Sequence, residues 1–215
     1  MQRGPTLDRS FFDRPALVVA PELLNKVLVS GDRAARIVEV EAYEGADDPA
    51  SHAFRGPTAR NATMFGRPGH LYVYFTHGLH WCANAVCGPD ATPSALLLRA
   101  GAPVAGVDQM RVARQQGRSV ARHDRDLCRG PARLAQALGI DGQADGADLT
   151  QGRGIIRFAD DGVDPPDPPG LSPRVGIRLA VERPWRWYVP GDPNVSGPSM
   201  NSAGGRSMKS PKADW

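Results

Sequence analysis

Apolar and polar positions alternate through residues 36–45, RIVEVEAYEG, which places Val38, Val40 and Ala42 on one face of an extended chain and Glu39, Glu41 and Tyr43 on the other. The first face reads as a core face. The second is open to two readings, a solvated surface or the floor of a polar site. The same period of two recurs in LYVYF (71–75) and again in LHWCANAV (79–86), with His77 and Gly78 between them, so this stretch predicts a β-hairpin with His77 at its tip. VLVS (27–30) and SALLLRA (94–100, ending near Arg99) read as strands, as do RVGIRLAV (174–181) and WRWYV (185–189).

Helical signals are fewer. APELLNK (20–26) predicts a short helix with Pro21 in its first turn, and VDQMRVARQQ (107–116) predicts a second. PARLAQALG (131–139) starts with a proline and stops at a glycine, the usual asymmetry of helix ends. Between these elements lie two stretches with neither period. Residues 45–70 are rich in Gly, Pro, Asp and Asn and predict a long ordered loop, of the kind that in a compact domain carries function or is disordered. Residues 160–173 form a proline-rich connector. A single domain over residues 1–196 follows, with 197–215 as a flexible Gly/Ser/Pro/Lys-rich tail.

Composition narrows the function classes. No run reaches the roughly 18 apolar residues of a membrane span, and the N-terminus lacks a secretory core, so a cytosolic protein with no membrane partner is expected. Three cysteines, Cys82, Cys87 and Cys128, in no tight repeat suit reduced thiols. Of 26 basic residues only Lys26, Lys209 and Lys212 are lysine, so residues 27–208 contain no side-chain amine to act as a nucleophile. A pI near 9.0 with a large arginine excess leaves a nucleic-acid partner open.

Candidate chemistry gathers around the polar face of residues 36–45. Glu41 and Tyr43 feed the loop that contains His52, the hairpin presents Tyr72 and Tyr74, and Asn84 shares a face with His80 and Cys82. Aromatic rings around a carboxylate suit a pocket that stacks a flat heterocycle and activates a water, while the same tyrosines equally suit hydrophobic packing with surface hydroxyls. His77 at a hairpin tip could wedge into a duplex, or be an ordinary turn residue. His77, His80, Cys82 and Cys87 suggest zinc by residue type but lack a clamp spacing, so no metal site is expected.

RIVEVEAYEGADDPASHAFRG, RNATMFGRPGHLYVYFTHGLHWCANAV, LLLRAGAPVAG and LCRGPARLAQALGID, in that order, resemble the alkyladenine (3-methyladenine) DNA glycosylase family over about residues 12–195. The resemblance implies hydrolysis of the N-glycosidic bond of alkylated or deaminated purines in duplex DNA, with no metal and no cofactor; a monomer is expected. Glu41 would activate the water, with Arg99 and the Val175 backbone helping to hold it. Tyr43 and Tyr74 would stack on the flipped base, His52 would contact its edge and Asn84 would form the pocket wall. His77 would intercalate, and Met64 would lie near the displaced pair at the DNA surface. A monofunctional hydrolase fits the lack of lysine, since strand nicking through a Schiff base needs an amine. The sequence departs from the family at His77, where tyrosine is common, at Asn25 in place of a glycine, and at Ala132. A non-catalytic damaged-DNA binder and a metal-dependent hydrolase are the rival readings. The fold expected is a mixed α/β domain with a curved, mainly antiparallel sheet, surrounding helices and a protruding hairpin.

Overall fold

The computed structural model describes residues 4–76, 78–89, 92–115 and 121–197. Eight strands among the described residues form one antiparallel sheet. Its main path runs β3 (Leu71–Thr76), β4 (His80–Cys87), β5 (Ser94–Ala105), β2 (Arg33–Glu44), β1 (Val27–Ser30) and β6 (Ile156–Ala159). Two short strands complete it: β8 (Arg186–Tyr188) pairs with β2 and with β7 (Gly170–Ser172).

β2 organises the sheet. One of its edges follows β5 from Ala34 to Glu44, while the other is divided between β1, along residues 33–36, and β8, along residues 39–41. Two different neighbours on one edge curl the sheet into a half-barrel. Helices α1 (Arg9–Phe12), α2 (Ala16–Leu23), α3 (Val107–Gln115) and α4 (Pro131–Leu138) surround it. α2 packs on β2, and α4 on β4 and β5. Phe12, Leu23, Leu96, Leu98, Leu134 and Phe158 meet in the main core. Among the described residues no helix is long and apolar enough to cross a membrane.

α4 forms where the sequence predicts it. Pro131 fills the first turn, where its missing N–H costs nothing, Leu134 and Leu138 are four apart on the buried face, and Gly139 ends the helix in the left-handed conformation at φ 66°. α2 begins four residues earlier than the pattern suggests, so that Pro21 falls inside the helix and not in its first turn. The buried face is Ala16, Val19, Ala20 and Leu23, a helical spacing that the uniformly apolar segment disguised. Asn25, which stands where the family resemblance puts glycine, has φ 65°, a conformation that asparagine tolerates better than most residues.

Two expectations are corrected. Residues 174–181 are not a strand: they form an irregular loop in which Gly176 has φ 80° and Ala180 φ 49°, with Val175, Leu179 and Val181 exposed. The strand in this region lies just upstream, at β7. The second correction concerns the face of β2. Its pairing with β5 shifts register between Ile37 and Glu39 and again between Glu39 and Val40. Ile37, Val40 and Ala42 therefore face the main core, whereas Val38 joins Ala100, Tyr188 and Val195 in a separate cluster. Both faces of β2 are covered, and the solvated-surface reading of Glu39 and Glu41 is excluded by their 0% exposure.

β3 and β4 pair antiparallel down to Thr76 opposite His80. His77 lies outside the described residues.

Candidate active site

The second register shift on β2 leaves Arg99 of β5 without a cross-strand partner, between Leu98 and Ala100. Such irregularities re-aim side chains. Here Arg99 reaches two carboxylates on the neighbouring strand. Its Nε donates to Glu39 Oε1 at 2.7 Å and its Nη1 lies 3.2 Å from Glu41 Oε1.

Glu41 is held from three sides. The backbone N–H of Val175 donates to Oε1 at 2.6 Å, the Tyr43 hydroxyl donates to Oε2 at 2.9 Å, and Arg99 supplies the third contact. Burial pushes the Glu41 carboxyl above the ordinary carboxylate range, although Arg99, the Val175 N–H and Tyr43 all pull the other way. Arg99 and Val175, expected beside a water, contact the carboxylate itself.

Beside this network opens a cavity of about 510 Å³, lined by Tyr43, His52, Tyr74, Asn84, Arg99 and Val175, with Met64, Tyr72 and Cys82 among the further walls; the three residues that contact Glu41 are in the lining, and Glu41 itself is fully buried. Residues expected to form the site on β2, β3, β4, β5 and two loops are thus brought to one place. The rings pack on one another: His52 meets Tyr74 edge-on at 4.5 Å between centroids, and Tyr72 and Tyr74 lie 5.6 Å apart, tilted by 31°. His52 Nδ1 is 3.1 Å from the Tyr72 hydroxyl. Burial, and then the nearby Arg60, keeps the His52 imidazolium below its ordinary pKa, so the ring is neutral at neutral pH. Burial raises all three phenols, that of Tyr72 to about 12, so the tyrosines remain neutral. Asn84 donates to the Tyr72 carbonyl at 3.1 Å and is buried at the cavity wall.

Met64 is placed differently from its expected position at the surface. It is 2% exposed and packs with Ala53, Tyr72 and Val86 beneath the rings, bordering the cavity from inside. Of the suggested zinc donors, His77 lies outside the described residues and the two cysteines do not converge. Cys82 lines the cavity and is hydrogen-bonded with Tyr74, whereas Cys87, an odd number of residues further along β4, points into the main core. Among the described residues no group of three or more His, Cys, Asp or Glu is arranged to hold a metal.

Sequence reasoning passed over several residues that shape the site. Glu39 Oε1 accepts from Arg99, Arg186 Nε and Ser196 Oγ, and its Oε2 from the Ser196 N–H. Arg174 and Asp48 form a fully buried pair behind Tyr43. In a chain this rich in arginine, nothing local separates a buried arginine from a surface one. The only signal was the position of Arg174 directly before Val175.

Comparison with known proteins supplies the class. The sequence profile of methylpurine-DNA glycosylase matches residues 10–193. A protein of Burkholderia lata is 58% identical over 196 residues, covering 91% of this chain and 93% of its own length. Proteins of Frankia casuarinae and Streptomyces avermitilis are 50% and 47% identical, covering 87% and 88% of this chain and 91% and 90% of their own. All three are named "Putative 3-methyladenine DNA glycosylase". The chain is therefore a DNA-acting hydrolase of N-glycosyl bonds. It belongs to the methylpurine-DNA glycosylase family.

Proposed function

We propose that the protein excises alkylated or deaminated purines from duplex DNA by flipping the damaged nucleotide into the aromatic cavity and hydrolysing its N-glycosidic bond without a covalent enzyme intermediate. The observation that carries this reading is the buried Glu41 carboxylate, held by Val175, Tyr43 and Arg99, three residues that themselves line the cavity. In the step envisaged, a water oxygen attacks the sugar C1′, the bond from C1′ to the base nitrogen breaks with its electron pair going to the base, and Glu41 takes the proton of the water. Positive charge develops on the sugar as the bond breaks, and a nearby carboxylate stabilises it. Tyr43 and Tyr74 supply faces for a flat base, and stacking favours the cationic ring of an alkylated purine.

The monofunctional mechanism is supported by the amines. Residues 27–208 contain no lysine, and Lys26 is 8% exposed and paired with Asp160 at 2.7 Å. A Schiff base with the sugar has no free donor among the described residues. The protein acts on this reading as a monomer in the cytoplasm, on the nucleoid.

Single-turnover release of 3-methyladenine, 7-methylguanine, hypoxanthine and ethenoadenine from otherwise identical duplexes tests the proposal. Release of at least one, leaving an intact abasic strand, is expected; no release of any, or strand nicking coupled to release, refutes it.

The pH dependence is a second expectation. Glu41 must be ionised to accept the proton, and its pKa is raised by burial, so release falls on the acid side through an apparent pKa above the ordinary value of about 4.3. Tyr43→Phe removes a donor that favours the anion and shifts this limb further up. A limb that does not move, or moves down, argues against Glu41 as the base. His77→Ala is expected to slow release from fully paired duplex more than from mismatched sites, where extrusion costs less. Equal losses on both substrates would remove the wedge.

A further inference from the structure

Arg174 does not line the cavity, yet it touches the parts that build it. Nη1 and Nη2 donate to the two carboxylate oxygens of Asp48 at 2.5 and 2.8 Å, and Nη1 also donates to the Ala42 carbonyl at 2.9 Å. Both side chains of the pair are fully buried. The guanidinium carbon lies 4.6 Å from the centroid of Tyr43 and 5.1 Å from that of Trp185, and Arg183 stacks on Trp185 at 4.6 Å. Arg183, Trp185, Arg174 and Tyr43 thus form a column that ends on a ring of the cavity wall. Tyr43 thus carries the guanidinium over its ring and also lines the cavity. The residue that follows Arg174 is Val175, whose N–H meets Glu41 at 2.6 Å.

A buried ion pair is weak evidence for stability, because taking both charges out of water offsets most of their attraction. This pair is also incompletely satisfied, since Arg174 Nε is buried with no hydrogen-bond partner. What the arrangement does provide is geometry. A planar fork gripped at two points by Asp48 has one orientation, and the plane that stacks on Tyr43 is the same plane. The peptide that joins Arg174 to Val175 is itself planar, so fixing Arg174 limits where the Val175 N–H can point.

We propose that Arg174, clamped by Asp48, is a positioning residue of the site: it sets the plane of the Tyr43 ring and, through the peptide that follows it, aims the Val175 N–H at Glu41. A single buried side chain then couples the wall that stacks the base to the carboxylate that serves the water. The catalytic part of this inference rests on the glycosylase reading; the hydrogen-bond part does not.

Arg174→Lys keeps the positive charge opposite Asp48 and loses the fork and the stack. Three quantities are to be measured on the full chain: hydrogen exchange of the Val175 amide, single-turnover base release at saturating enzyme, and Tm. Val175 is half-exposed, so its amide protection reports mainly on the bond to Glu41. The variant is expected to exchange this amide about tenfold faster, as for loss of a hydrogen bond to a charged group, and to release base about tenfold to a hundredfold more slowly. Unchanged protection overturns the proposal. A lower Tm with protection and rate per folded molecule intact also overturns it, by reducing the pair to a structural one. If the wild type releases no base while the variant still loses Val175 protection, the glycosylase reading fails and the brace stands. Should Arg174→Lys not fold, Asp48→Asn, which leaves Arg174 an uncharged acceptor, is expected to show the same losses to a smaller degree, and normal Val175 protection there overturns the proposal.

Discussion

Glu41→Gln is expected to cut single-turnover base release by about 10³- to 10⁴-fold and to leave binding of undamaged duplex unchanged. Glutamine has nearly the volume of glutamate, and its carbonyl oxygen can still accept from the Val175 N–H at the position Oε1 now holds, 2.6 Å away. The amide cannot take a proton from water, and it has no charge to set against the positive sugar. On the conversion of about 1.4 kcal/mol per tenfold, the loss corresponds to roughly 4–5.5 kcal/mol of transition-state stabilisation. The substitution keeps the side-chain shape and the Val175 bond, so Tm and duplex affinity serve as controls. Release of hypoxanthine or ethenoadenine at the wild-type rate would remove Glu41 from the mechanism, and with it the role proposed for the cavity.

The family resemblance singled out Glu41; what the residues themselves showed were the local features of the site. Strand period is local, and it placed Glu41 and Tyr43 together on one strand, and Tyr74 and Asn84 on the two strands of the hairpin. Helix punctuation is local too, and α4 runs between its own proline and glycine. The register shifts opposite Arg99 are not local. They lie on the β5 edge of β2, at the point where its other edge passes from β1 to β8, and they move Val38 off the main-core face while freeing Arg99 to bridge two glutamates. No alternation rule applied to residues 36–45 alone contains that information. Arg174, Arg186 and Ser196 were hidden for a related reason. Each is buried by partners more than 100 residues away in sequence, Asp48 for Arg174 and Glu39 for the other two. The loop at 174–181 misled in the opposite direction: its alternating valine, isoleucine and leucine look like a strand, but two residues with positive φ break the extended chain, and the apolar side chains are left at the cavity rim.

Glu39→Ala is expected to destabilise the fold by about 3–5 kcal/mol, lowering Tm by roughly 10 °C. The two glutamates of one short segment therefore separate by experiment. Glu39 is fully buried, and one of its oxygens accepts from both Arg99 and Arg186. Removing the carboxylate leaves Arg186, 5% exposed, without its carboxylate partner, and Arg99, 7% exposed, with Glu41 alone. It also frees Ser196, whose N–H and hydroxyl both bond Glu39 and so anchor the segment after β8 to β2. Activity should fall as well, but by a different route, because Arg99 loses the partner that fixes its Nε while its Nη1 faces Glu41. Thermal unfolding and single-turnover release, measured on both variants, distinguish the two roles: Glu41→Gln loses rate at nearly constant Tm, and Glu39→Ala loses Tm first. A Glu39→Ala protein with wild-type Tm would mean that water enters and solvates the two arginines, so that the buried cluster contributes little to holding the sheet together. If that variant also kept its rate, Arg99 would need no support from Glu39 to serve Glu41.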